Sequence, residues 1–343
     1  MKQQDGGFVY VQTNDAENNE VAVFQRSRGG RLERVGAYLT GGKGSGAPHL
    51  PSQSSIVLSN GRLFVTNAGS DDITVFAAEG ERLVALDRAP SGGSVPRSVA
   101  VHGDRVYVLN TEREPNVSGF ALEAGERLVP VSGSTRVIGV GSDPAQVAVS
   151  PDGRTLLVTD RASDSIHAFA VGEDGILKDA VTHPSSGATP YGFDVTADGV
   201  LVVTEAAGAQ VGKASASSYR LDAPAQLVPA SEAVGNTRSE VCWAVISKDG
   251  RTAFVTNFGD GTISTYEIAE DGSIVLREAI AATTIDGQPG IRDEALSSDG
   301  RFLYALHADS GQVFGWEVGS GGTLAPVGSA NGLPLTAAGL AAS

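Results

Sequence analysis

One phrase recurs along this chain, and it constrains the fold more than any other feature. It is a short apolar stretch, a turn on Asp-Gly or Asn-Gly, a second apolar stretch ending in a polar residue, an Asp/Ser/Gly-rich turn, and a third strand. The clearest copies run from Val147 to Asp160, from Ala244 to Asn257 and from Ala295 to His307. Looser copies end at Asn67, Asn110 and Glu205. Gly supplies the positive φ that tight hairpin turns need, and the β-branched residues on either side suit strands.

Each copy continues into a third strand, as in Ile73–Phe76, Ile166–Phe169 and Ile263–Tyr266, and a fourth follows a further turn, as in Leu83–Leu86. Four antiparallel strands repeated at this period make a propeller blade. The polar residues that end the second strands form a column: Thr13, Asn67, Asn110, Asp160, Glu205, Asn257 and His307, spaced 43 to 54 residues apart. Seven such residues predict an all-β, seven-bladed β-propeller in a single domain spanning residues 1–343.

The ends predict how the ring closes. Residues 5–11, Asp-Gly-Gly-Phe-Val-Tyr-Val, align with the turn and second strand at 299–305, and residues 337–343 read as a first strand. The C-terminus is therefore expected to supply the innermost strand of blade 1, removing an open edge. The predicted blades are 5–40 with 336–343, then 52–90, 95–138, 143–184, 189–232, 240–284 and 291–335.

Composition narrows the function. The net charge is −15, which argues against nucleic acid and against an anionic membrane surface, since both need clustered Lys and Arg. No apolar run approaches the roughly 18 residues of a membrane span. The first seven residues have no apolar core of a signal peptide. Cys242 is the single cysteine, so no internal disulfide forms, and an unpaired thiol points to the cytoplasm. A mature exported form would read the same. There is no His-Glu-x-x-His, no cysteine-rich metal spacing, no phosphate loop and no Gly-x-Ser-x-Gly elbow, so neither a catalytic metal nor a cofactor is expected, while a Ca²⁺ ion in the channel, where carboxylates and carbonyls are plentiful, stays open.

In a propeller the loops leading into the innermost strand and those leaving the second strand share one face, around the channel mouth. The Asp-Gly turns lie on the other face and are read as structural. Two rings therefore mark the candidate face. One is the column, where Glu205 and His307 depart from the recurring Asn. The other lies where the inner strands begin: His49 and Gln53, Arg97, Asp143 and Gln146, Tyr191, Glu240 to Trp243, and Arg292 to Glu294. Arginines, carboxylates, a histidine and large aromatics together suit a small anionic or polar molecule. The segment from Gly41 to Ser55, rich in Gly, Ser and Pro, reads as a flap over this mouth.

The whole chain resembles the lactonase-family seven-bladed propellers, which include the propeller type of 6-phosphogluconolactonase and the carboxymuconate-lactonising enzymes. Ser-Pro-Asp-Gly-Arg at 150–154, Phe-Val-Thr-Asn-Ala-Gly-Ser-Asp-Asp at 64–72, Phe-Val-Thr-Asn-Phe-Gly-Asp-Gly-Thr-Ile-Ser at 254–264 and Ser-Asp-Gly-Arg-Phe-Leu-Tyr at 298–304 carry the resemblance. It implies a metal-independent hydrolase or lyase acting on a small anionic lactone. By position, Glu205 matches the family's Glu after the second strand of blade 5, Arg292 matches the Arg leading into the last blade, and Arg97 holds an equivalent place.

Arg292 and Arg97 would hold the anion, with Tyr191, Trp243, Gln146 and Glu294 completing the substrate site. Glu205 would be the general base, with His49 or His307 the acid. The sequence departs from the family where an Arg-His pair often follows the proline of blade 5; here Pro190 precedes Tyr191-Gly192. A histidine often leads into blade 4, and Asp143 to Gln146 stand there instead. Structural alternatives stay open: Glu205 as a turn cap, Arg292 paired with Asp293 or Glu294, His49 as a plain loop residue, Trp243 as channel packing. At the level of function, the alternatives are a non-catalytic scaffold for a ligand or a protein partner, and an isomerase or cyclase on the same framework.

Overall fold

The structure, a computed structural model, describes residues 6–48 and 50–343. Residues 1–5, and His49 with the catalytic role expected of it, lie outside the described residues. Seven antiparallel sheets make the molecule; in six the first strand in sequence is innermost, and in the seventh the C-terminal strand takes that place. The inner strands are Ile56–Ser59, Ser94–His102, Pro144–Val149, Pro190–Val195, Val241–Ile246, Ile291–Leu296 and Leu340–Ala342. Six sheets have four strands; blade 3 adds a short strand, Arg136–Val137, beside Asn116 and Val117.

The ring closes as the matched ends predict. Leu340–Ala342 pairs with Phe8–Gln12, setting Val9 opposite Ala342 and Val11 opposite Leu340. The Phe8 amide donates to the Ser343 hydroxyl at 2.7 Å, and Leu340 is buried. Strand alternation explains the core. Successive side chains on a central strand face opposite neighbouring blades, so each interface fills from both sides. Leu157, Ile166 and Ala168 of blade 4, for instance, pack on Phe193, Leu201, Val203 and Tyr219 of blade 5.

The Asp-Gly turns are structural, as expected. In blade 4 the Ser150 hydroxyl donates to Asp152 at 2.6 Å, the Arg154 amide donates to the same carboxylate at 3.0 Å, and Gly153 takes φ +72°. The pattern recurs at Ser247 and Asp249 and at Ser297 and Asp299. Burial opposes ionisation of Asp152, yet these hydrogen bonds and nearby charges hold its carboxyl below the usual range.

The column has an equally regular role. Apart from His307, these polar residues hydrogen-bond to the third strand of their own blade. Asn67 donates to Asp72 and Thr74, Asn110 to Asn116, and Asn257 to Thr262 and Ser264. These residues are buried, and each pins the turn between second and third strands.

Candidate functional site at the channel mouth

Inner strands start irregularly. Their pairing with the second strand slips between Pro96 and Ser98, Pro144 and Gln146, Pro190 and Phe193, Val241 and Ala244, and Arg292 and Glu294. A bulge breaks strict alternation and re-aims a side chain. The bulged stretches carry Arg97, Tyr191, Cys242 and Arg292, four of the residues the sequence places around the mouth.

Arg161 joins them. Its guanidinium lies 4.7 Å over the Tyr191 ring, donates to the Tyr191 hydroxyl at 3.0 Å and pairs with Asp143 at 2.6 Å. Arg97 pairs with Glu112 at 2.9 Å. Arg292 pairs with Asp309 at 3.0 Å, not with Asp293 or Glu294, and lies 5.3 Å over the Phe258 ring. Arg97, Arg161 and Arg292 all act electrostatically on Tyr191. Tyr191 meets Trp243 edge-on at 5.8 Å, and both pack with Cys242 and Ala206. Burial pushes the Tyr191 hydroxyl and the Cys242 thiol up, so both stay protonated at neutral pH.

The arginines are not saturated by their acids. The Nε of Arg97 and both Nε and Nη1 of Arg292 are buried without a hydrogen-bond partner among the described residues. Buried N–H groups left unpaired are costly. Three guanidiniums thus stand around one aromatic ring, a chemistry that can take a carboxylate or phosphate.

Glu205 is elsewhere. It is fully buried inside blade 5, where Oε1 accepts from Ser185, the Gly187 amide and Ser217, and Oε2 accepts from Ser215 at 2.7 Å. It holds the position of the column asparagines and makes the same clasp. His307 occupies the equivalent position in blade 7, 1 % exposed, with its ring edge-on to Phe314. Its nitrogens lie near the Gln288 backbone and Asp309 without a well-formed hydrogen bond, and burial pulls its pKa down, keeping it neutral.

The floor of the mouth is a plug. Ser52 to Ser54 lead into blade 2 and bond across to blades 3, 6 and 7. The Ser52 hydroxyl donates to the Arg97 carbonyl at 2.8 Å, and the Trp243 indole donates to the Ser52 carbonyl at 3.0 Å. The Gln53 amide takes both backbone groups of Ala244 in blade 6, and Ser54 reaches Asp293 in blade 7. Gln146 does the same for Phe193, donating to its carbonyl and accepting from its amide. Trp243 and Gln146, expected to bind substrate, are thus engaged in closing the channel. The plug also explains Gly192: a Cβ there would lie 2.3 Å from the Gln53 Oε1. Glu294 lies past the plug, lining a cavity of about 400 Å³ together with Asp194 and Asp293.

The flap is anchored in its first half. The Gly44 and Gly46 amides donate to Asp15 and Asn14 carbonyls, and the Ser45 amide donates to the Asn14 side chain at 2.8 Å. Arg161 is the residue that sequence reasoning missed. It follows the column residue Asp160, a place where other blades carry Asn14, Ala68, Thr111, Ala206, Phe258 or Ala308. A lone charged residue in an otherwise uncharged ring on the mouth face was the available signal.

Comparison with known proteins agrees with this architecture. A sequence model of the family described as "Lactonase, 7-bladed beta-propeller" matches residues 2–137 and 127–211. The 6-phosphogluconolactonase of Sodalis glossinidius is 32% identical over 128 residues, covering 35% of this chain and 37% of its own length. Among solved structures, the periplasmic gluconolactonase of Pseudomonas aeruginosa superposes with a TM-score of 0.75 at 17% identity, over 98% of both chains. A Lactobacillus plantarum protein gives a TM-score of 0.78 at 16% identity, again over 98% of both chains.

Proposed function

The chain belongs to the lactonase family of seven-bladed β-propellers, and from that premise we propose that it hydrolyses a small anionic lactone at the arginine-lined mouth. The observation that carries this reading is the cradle of Arg97, Arg161 and Arg292, with unpaired buried N–H groups on two of them. A carboxylated or phosphorylated sugar lactone offers both an anion for such donors and a carbonyl oxygen that gains charge as water attacks. Guanidinium N–H groups aimed at that oxygen stabilise the tetrahedral intermediate. Tyr191, buried beneath Arg161, fixes that guanidinium through its ring and its hydroxyl.

Water must lose a proton. With Glu205 enclosed by four internal donors, the carboxylates on the arginines are the better bases. Asp143 and Asp309 have side chains 49% and 44% exposed, each fixed by one guanidinium. Asp309 also stands beside neutral His307, which can relay the proton.

The test is turnover of 6-phosphogluconolactone and of uncharged gluconolactone. Arg161→Ala and Arg292→Ala should each cost at least about tenfold in kcat/KM for the phosphorylated substrate, the size of one lost charge-assisted hydrogen bond, and far less for the uncharged one. Asp309→Asn should lower kcat with little change in KM. Equal losses on both substrates would overturn the anion reading. A non-catalytic scaffold is the second reading, favoured by the enclosure of Glu205; binding of lactone without turnover would select it.

A further inference from the structure

The cavity beyond the plug is a separate chamber with the opposite charge. At the register of Glu294, counted by pairing with the second strand, the other blades carry Ile56, Val99, Val147, Phe193, Ala244 and Leu340. A carboxylate replaces an apolar residue only in blade 7. Glu294 is 2 % exposed, and neither carboxylate oxygen meets a hydrogen-bond donor among the described residues. Asp293, on its own strand, has its carboxylate taken by backbone amides of Glu294 and Leu340, and Asp194 by those of Val195 and Ile246. Lys248 stands on the chamber wall as the nearby cation. Glu294 alone keeps its full accepting capacity.

The chamber's shape and lining decide what fits. At about 400 Å³ it holds a small organic molecule rather than a bare ion. Apolar side chains such as Leu58, Phe193, Ile246 and Leu296 form much of its wall. No group of three or more His, Cys, Asp or Glu among the described residues converges as a metal site would require. From these features we infer that this chamber is a second binding site, for an organic ammonium whose charged head meets Glu294 and whose alkyl body lies against the apolar wall. The chamber also shares Asp194, Ile246 and Lys248 with a wider cleft of about 880 Å³ between blades 5 and 6, on the Asp-Gly face, which gives a longer amine room to extend. The plug separates this site from the arginine cradle, so the two ends of one channel select opposite charges.

An unpartnered buried carboxylate destabilises the fold, and keeping one is the cost of a site. Burial and the charges of Asp293 and Asp194 hold Glu294 well above the usual carboxylate range, and a cation beside it would favour its ionised form.

Isothermal titration with n-butylammonium and with 1,4-diaminobutane tests this. Saturable binding of both amines is expected. Glu294→Gln and Glu294→Leu should each weaken it at least tenfold while raising the melting temperature, and Arg161→Ala should leave it unchanged. Calcium chloride and potassium chloride are the comparison arms. No saturable binding of either amine, equal binding by the Glu294 variants, or Glu294-dependent binding of calcium in place of the amines would each overturn the inference.

Discussion

A residue's place in a repeat says what it neighbours before it says what it does. The column of second-strand polar residues is visible in the sequence, and so is the face on which it ends. What the sequence does not reveal is direction. The asparagines turn sideways into their own blades, and Glu205 follows them because Ser215 and Ser217 stand where Asn257 finds Thr262 and Ser264. The loop of blade 5 is longer, so the partners lie ten and twelve residues on instead of five and seven, which hides the equivalence in the sequence. The physical consequence is measurable. Glu205→Ala removes one acceptor carboxylate and strands the buried hydroxyls of Ser215 and Ser217. It should destabilise the protein by roughly 2–4 kcal/mol, given the usual worth of hydrogen bonds to a buried charge. Chemical denaturation checks this, and any loss of lactone turnover should track the loss of folded protein.

Among elements, the innermost strands raise the sharpest problem, because each has one edge with no fifth strand to pair with. This molecule answers with side chains. Gln146 and Gln53 each offer one donor and one acceptor and so copy a backbone edge. Asp194 and Asp293 supply acceptors to Ile246 and Leu340 amides. Blade number and seam were legible because they depend on local period and on the match between two ends. The plug was not, since Gln53 meets Ala244 across 191 positions and no local pattern encodes that. The seam itself predicts its own importance. Removing residues 336–343 takes away Leu340 from the core, the pairing with Phe8–Gln12 and the acceptor Ser343. It also exposes the edge of that strand. The truncated protein should melt far below the full chain and aggregate through that edge; an unchanged melting temperature would refute a closing role for this strand.

At the scale of the whole molecule, the buried acids set how stability responds to pH. Burial pushes Asp194 up to about 6 and Asp293 up to about 7, and Glu294 rises well above its usual range. In the unfolded chain all three titrate near 4. Between about pH 4 and 7 the folded state therefore binds more protons than the unfolded one. Stability falls as pH rises through that window, since its slope follows the difference in bound protons. The opposite limb comes from acids held low. Burial opposes the shift of Asp160, but hydrogen bonds from His167, Ser163 and backbone amides carry it down to about 2, so its contribution is present above about 4 and fades as pH drops towards 2. The two limbs place the optimum near pH 4–5, below neutrality. Melting temperature measured from pH 3 to 9 should peak there and decline towards alkaline pH. Glu294→Gln should flatten the alkaline side in particular, because it deletes the acid with no hydrogen-bond donor of its own. A wild-type profile level from pH 5 to 9 would mean that these carboxyls ionise freely in the fold, and that the chamber is wetter than its walls imply.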